Sequence, residues 1–177
     1  SLRVEGEDAV STNFAREPVL NYGCSGFRAL QLNRSTGLEG VGTFYADYVF
    51  SVPSAGTWEL WYGGTPPGPR DDLYPSYSSP FTVTVDGQRP LAVSRETMAV
   101  VENYTPSFYW NLLSSMPLAP GRHRVRFEVT ARRRIDGRFM FYLDCFFIVK
   151  KEGGKRILTP PLPTVLPKDP DSRAMNT

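Results

Sequence analysis

The chain has 177 residues, 41% of them hydrophobic and 21% charged, with a net charge of +2 at pH 7. That composition suits one globular domain with a sizeable core, and the charge is too small to imply a nucleic-acid partner. The single histidine excludes a multi-histidine metal site and leaves only His123 for any Ser-His-Asp or Cys-His device.

Residues 2–9 (LRVEGEDA) predict a first strand with acidic punctuation, and the strand-like start at Ser1 reads as a segment of a longer polypeptide. Residues 10–28 predict a loop holding Pro18, Gly23 and Gly26, and Phe27 to Leu32 a short strand. In 44–52, Phe44, Ala46, Tyr48, Phe50 and Val52 alternate with Tyr45, Asp47, Val49 and Ser51, the period of a strand. Residues 53–56 (PSAG) stop it. Trp58, Leu60 and Tyr62 then alternate with Glu59 and Trp61, which predicts a hairpin with an aromatic inner face. Trp58 belongs to that core, while Trp61, on the opposite face, is open to either role. Residues 63–80 form a loop with five prolines, and loops this long are usually functional or disordered.

Phe81, Val83 and Val85 predict a strand turned by Asp86-Gly87. Residues 94–110 are irregular, with one helical turn or a loop over 96–102. Residues 112–118 lead to Pro120-Gly121. His123, Val125, Phe127 and Val129 alternate with Arg122, Arg124, Arg126 and Glu128, which predicts a half-buried strand with a basic outer face and a core histidine. Residues 139–149 (FMFYLDCFFIV) are apolar on both faces apart from Asp144, as in a strand covered on both sides. From Gly153 onward the pattern dissolves into a Pro-rich stretch. With no helical period of twelve residues or more, the fold expected is all-β, a β-sandwich (jelly roll) of two antiparallel sheets over 1–150, followed by a linker or surface-packed tail over 151–177. No apolar run approaches the roughly 20 residues of a membrane span, and no signal peptide is visible.

Four stretches then fall in an order that resembles carbohydrate-binding modules of families 6 and 35. They are VEGEDA at 4–9, YVFSVPSAGTWELWYG at 48–63, LAPGRHRVRFEV at 118–129 and FYLDCFFIV at 141–149. The resemblance implies a non-catalytic module that binds a polysaccharide or oligosaccharide and targets a covalently attached catalytic domain to it. It also implies an extracellular or cell-surface setting.

Glu5 and Glu7 share one face if they lie on a strand, and Asp144 interrupts an apolar one, where a lone carboxylate is costly unless paired or metal-bound. If the first and last strands pair, these three could converge. The resemblance implies a structural Ca²⁺ there, with backbone carbonyls completing the oxygen shell; otherwise the two glutamates are solvated and Asp144 caps a strand end or pairs with an arginine. Sugars need aromatic platforms with polar groups beside them. Tyr104, Tyr109, Trp110 and Asn111 cluster in the irregular stretch, Tyr22 lies in the early loop, and Arg70 and Tyr74 in the 63–80 loop. Trp110 is either platform or core. Arg122, Arg124 and Arg126, with Arg132 to Arg134 on a following turn, form either a solvated face or a patch for an acidic polysaccharide. Cys24 and Cys145 have no zinc spacing, and sequence leaves their pairing open. Two other readings compete: a docking domain that packs on a catalytic neighbour without binding glycan, and an enzyme on a β-sandwich. The near absence of histidine counts against the enzyme.

Overall fold

The computed structural model describes residues 2–20, 28–37, 42–68, 77–94, 99–103 and 108–157. Among them are thirteen strands in two antiparallel sheets. One sheet runs in the order β3 (Ala15–Leu20), β4 (Arg28–Arg34), β12 (Phe139–Glu152), β6 (Gly56–Gly64), β10 (Tyr109–Leu118), β9 (Ala99–Asn103). Two further strands, β1 (Leu2–Glu5) and β13 (Lys155–Ile157), also pair with β12. The second sheet runs β2 (Ser11–Thr12), β5 (Phe44–Val52), β11 (Gly121–Val129), β7 (Phe81–Val85), β8 (Leu91–Val93). The expected β-sandwich is what forms.

The alternation decides which side chains enter the core. Phe44, Ala46, Tyr48, Phe50 and Val52 from β5 meet Trp58, Leu60 and Tyr62 from β6, with Val125, Phe127 and Val129 from β11 and Phe141, Leu143, Phe146 and Ile148 from β12. Most of the rings meet edge-on or tilted, as Phe81 and Phe141 do at 4.5 Å. The expected hairpin between β5 and β6 is corrected. β5 pairs with β11 and β2, β6 with β12 and β10, so residues 53–55 cross from one sheet to the other. Both strands carry a full apolar face. In opposite sheets those faces bury each other, whereas in a hairpin they would lie side by side.

Other expectations shift, and the loop expected over 10–28 holds β2 and β3. Residues 99–103 are strand and not a helical turn, and Tyr109 and Trp110 already belong to β10. The first strand ends at Glu5, and Gly6–Asp8 form a single 3-10 turn. β12 continues past 150, turns at Gly153 and Gly154, whose φ values of 56° and 78° suit glycine, and returns as β13. Described strand structure therefore reaches Ile157.

His123 is a satisfied core residue, as expected. Its Nδ1 lies 2.6 Å from Asp86 Oδ2 and its Nε2 lies 2.7 Å from the Ala119 carbonyl. Both neighbours are acceptors, an arrangement that favours a proton on each nitrogen. Burial opposes that charge, but the hydrogen bonds to Asp86 and Ala119 and the Asp86 charge outweigh it and raise the pKa above 6.5. A raised folded-state pKa stabilises fully below the unfolded value and is lost as pH rises through the folded one. Urea unfolding of the native chain and of His123→Gln should therefore show the largest stability gap near pH 6 and a smaller one near pH 9. A gap that widens with pH contradicts the doubly protonated ring.

Candidate functional site

Three places carry chemistry. The first is the junction of the first and last strands. β1 runs antiparallel to β12 with Glu5 opposite Cys145, so the expected pairing of these strands is observed. At the same point β12 bulges. Leu143 and Cys145 face consecutive β6 residues, Gly64 and Gly63, which leaves Asp144 as the extra residue. There β12 also passes from β4, its partner through Leu143, to β1. Asp144 is buried. Glu5 is 2.8 Å from the Arg3 guanidinium. Glu7 is half-buried, and its Oε2 has no hydrogen-bond partner. Burial first, then the charges of Glu5 and Asp8, push the Glu7 pKa up against a backbone hydrogen bond and Arg28. Among the described residues, no three acidic, histidine or cysteine side chains converge at metal-ligand spacing.

The second place is the loop end near the start of β10. Tyr109 is half-buried. Asn111 is fully buried, donates from Nδ2 to the Tyr109 carbonyl at 2.8 Å, and has an Oδ1 without a hydrogen bond. Trp110 is only 5% exposed. It packs on the outer face of the eight-stranded sheet with Trp61, Leu112, Cys145, Phe147 and Val149, its ring 5.0 Å from that of Phe147. It presents no open face for a sugar, because β12 supplies an apolar ring where solvent was expected. Trp61 belongs to the same cluster. Its indole N–H donates to Glu59 Oε2 at 2.7 Å, and the Arg156 guanidinium lies 4.9 Å above its ring. Tyr22, Arg70, Tyr74, Tyr104 and Cys24 lie outside the described residues, so their places, and any bridge between Cys24 and Cys145, stay with the sequence.

The third place is the outer face of the five-stranded sheet. Arg124 and Arg126 converge on Asp47, which stands on neighbouring β5 and is 1% exposed. Arg126 donates from Nε and Nη2 at 2.6 and 2.7 Å, and Arg124 from Nη2 at 3.1 Å. The Arg126 guanidinium also lies 4.6 Å over the Tyr45 ring. A groove of about 540 Å³ runs beside them, lined by Thr84, Gln88, Pro90, Arg124, Arg126 and Glu128 among others. Arg132 to Arg134 do not extend this patch. Arg133 is buried, donates at 2.8 Å to the Tyr77 carbonyl and grips Asp136 through two nitrogens, which lowers the Asp136 pKa to about 2. Arg132 donates to the Ser35 and Gly137 carbonyls. Sequence reading missed Asp47 and Glu59. The available signal was an acid inside an aromatic strand with basic residues at matching period on another.

No protein-family profile matches the sequence, and no curated protein matches it. Solved structures do match. A family 35 carbohydrate-binding module from Clostridium thermocellum superposes with a TM-score of 0.51 at 14% identity, over 83% of this chain and 97% of its own. Xyl-CBM35, solved with a glucuronic acid-containing disaccharide, gives 0.51 at 10% identity over 89% and 96%. A Paenibacillus xanthan lyase gives 0.59 at 15% identity over 84% of this chain but only 13% of its own. The fold is that of family 35 carbohydrate-binding modules, and it also matches part of a larger lyase.

Proposed function

We propose that this chain is a non-catalytic carbohydrate-binding module. It holds a polysaccharide outside the cell and raises the effective concentration of an attached catalytic domain on it. The observation that supports this most is coverage. The chain matches nearly the whole of two binding-module chains but about an eighth of the lyase, which supports reading it as an accessory unit. His123, with both nitrogens engaged, also has no lone pair left for base catalysis. The proposed glycan contacts are Tyr109 and, on the sequence alone, Tyr104, Tyr22, Tyr74 and Arg70, while the buried Trp110 and Asn111 act by packing. A glycan array with the chain as it stands tests the reading. Retention by at least one polysaccharide is expected, and none would favour the docking-domain alternative.

A structural Ca²⁺ belongs to the same proposal. One observation supports it, although no three acidic, histidine or cysteine side chains converge among the described residues: a half-buried carboxylate oxygen of Glu7 has no hydrogen-bond partner, two residues after Glu5 where β1 meets β12. When bound, the ion would supply positive charge to a carboxylate-rich junction and tie β1 to β12. A ligand that binds only the folded state stabilises by mass action, about 2.7 kcal/mol at a hundredfold excess over Kd. Chelation should then lower the melting temperature, and Glu7→Gln should remove the response. An unchanged melting curve with no metal by elemental analysis ends the calcium proposal.

A further inference from the structure

We propose that the groove between the β7–β8 hairpin and the margin of β10 is a binding site for a free aliphatic carboxylate, independent of any glycan surface. The two sheets end side by side there. β8 is the last strand of the five-stranded sheet. β9 pairs with β10 only as far as Leu112, so among the described residues 114–118 form the margin of the other sheet. Val83 stands opposite Leu91 across the hairpin, and Ser114 opposite Leu60 on β6. A groove of about 520 Å³ opens between these pairs, within the roughly 300–1,000 Å³ of small-ligand sites. Leu60 and Val83, each 3% exposed, form its floor, and the half-buried Val85 and Met116 pack against the same core. Leu91 forms its rim. It is 36% exposed and one of two exposed large apolar side chains among the described residues.

The lining selects the ligand. No aromatic ring lines the groove, so a pyranose finds no platform. Most of the lining is aliphatic, which suits an alkyl chain leaving water. The polar lining residues are Ser114, Gln88 and Arg89. Arg89 is the one charged residue of the lining, and it is exposed. A guanidinium beside an aliphatic trough, with no acid in the lining, complements an anionic head, and its planar fork matches a carboxylate. The hairpin that carries Arg89 is fixed before any ligand arrives. Asp86 and Gly87, at φ 52° and 65°, make its tight turn. The Gln88 amide donates to the Val85 carbonyl at 3.0 Å, and the Asp86 carboxylate accepts from the Arg124 amide at 2.9 Å. Little backbone freedom is then lost on binding. The groove meets β10 at Ser114 and Met116, away from Tyr109 at the strand's start.

The probe is decanoate, with decanol as its neutral counterpart and octanoate as its shorter one, all below their micelle concentrations. Calorimetric titration of the native chain should show saturable decanoate binding. Octanoate should bind roughly tenfold less tightly, because each buried methylene is worth about fourfold in affinity. Decanol should bind severalfold less tightly than decanoate, since it lacks the charge-assisted bond. Arg89→Gln, at an exposed position that leaves the melting temperature unchanged, should bring decanoate down to the decanol level and leave decanol as it was. Leu91→Asp, which puts a like charge at the rim, should abolish decanoate binding. In the native chain, decanoate should shift the methyl NMR signals of Val85, Leu91 and Met116 and raise the melting temperature. No saturable binding, equal binding of decanoate and decanol, or methyl shifts confined to residues outside the groove overturns the site. A lowered melting temperature, the mark of a detergent acting on the unfolded chain, overturns it as well.

Discussion

Trp110→Ala is expected to destabilise the chain by about 3–5 kcal/mol, the usual cost of emptying a large aromatic site in a core. At this chain length that lowers the melting temperature by roughly 6–20 °C. The reason is the position of the ring. It is 5% exposed, faces Phe147 at 5.0 Å and shares a cluster with Trp61, Leu112 and Val149 on the outer side of the eight-stranded sheet. A sugar platform would behave otherwise, because an exposed ring can be removed at little cost to folding while binding falls. Calorimetry on Trp110→Ala and Trp110→Phe separates the two. The phenylalanine should recover part of the lost stability by refilling part of the site. A Trp110→Ala protein that melts with the native chain and has lost its glycan retention restores Trp110 as the platform.

The period-two alternation made the strands legible because it reports directly which side chains share a face. It placed 44–52 and 81–85 at the observed bounds, and it put His123 in the core. It does not report which sheet a strand joins. β5 and β6 look like a hairpin, since a short PSAG segment joins two aromatic strands, and only the need to bury both apolar faces sends them to opposite sheets. The same limit hid the role of Trp110. A tryptophan at the start of a strand can meet solvent or a neighbour, and its neighbour here, Phe147, arrives from a strand far along the chain. Asp47 was hidden for a related reason. The sequence shows an outward acid and a row of outward arginines, but the register that sets Asp47 against Arg126 is a property of β5–β11 pairing. The acidic start of the chain was read for its charges, whereas its glycine carries the tightest constraint.

Gly6→Ala should be the most damaging single-methyl change at the first-to-last-strand junction. A Cβ at position 6 would stand 1.9 Å from the Leu143 carbonyl oxygen and 2.8 Å from its carbon. Both are backbone atoms of β12, the strand that β1, β4 and β6 all pair with, so neither can swing aside. The 3-10 turn must instead lift away. That movement strains the Glu5–Cys145 pairing and the 2.5 Å hydrogen bond from the buried Tyr48 hydroxyl to the Gly6 carbonyl. Ordinary overpacking costs about 1–3 kcal/mol, and losing a buried hydrogen bond adds about 1–3 kcal/mol, so a loss of roughly 2–6 kcal/mol is expected. Gly56→Ala is the control. Its added methyl meets the flexible end of Lys150 at 2.9 Å, and the lysine can move. Urea midpoints should fall steeply for Gly6→Ala and little for Gly56→Ala, at matching m-values. If Glu7 and its neighbours hold calcium, Gly6→Ala should also lose the stabilisation by added Ca²⁺ that the native chain and Gly56→Ala keep. Equal midpoints for the two variants would mean that the turn does not rest on the β12 backbone as closely as these contacts require.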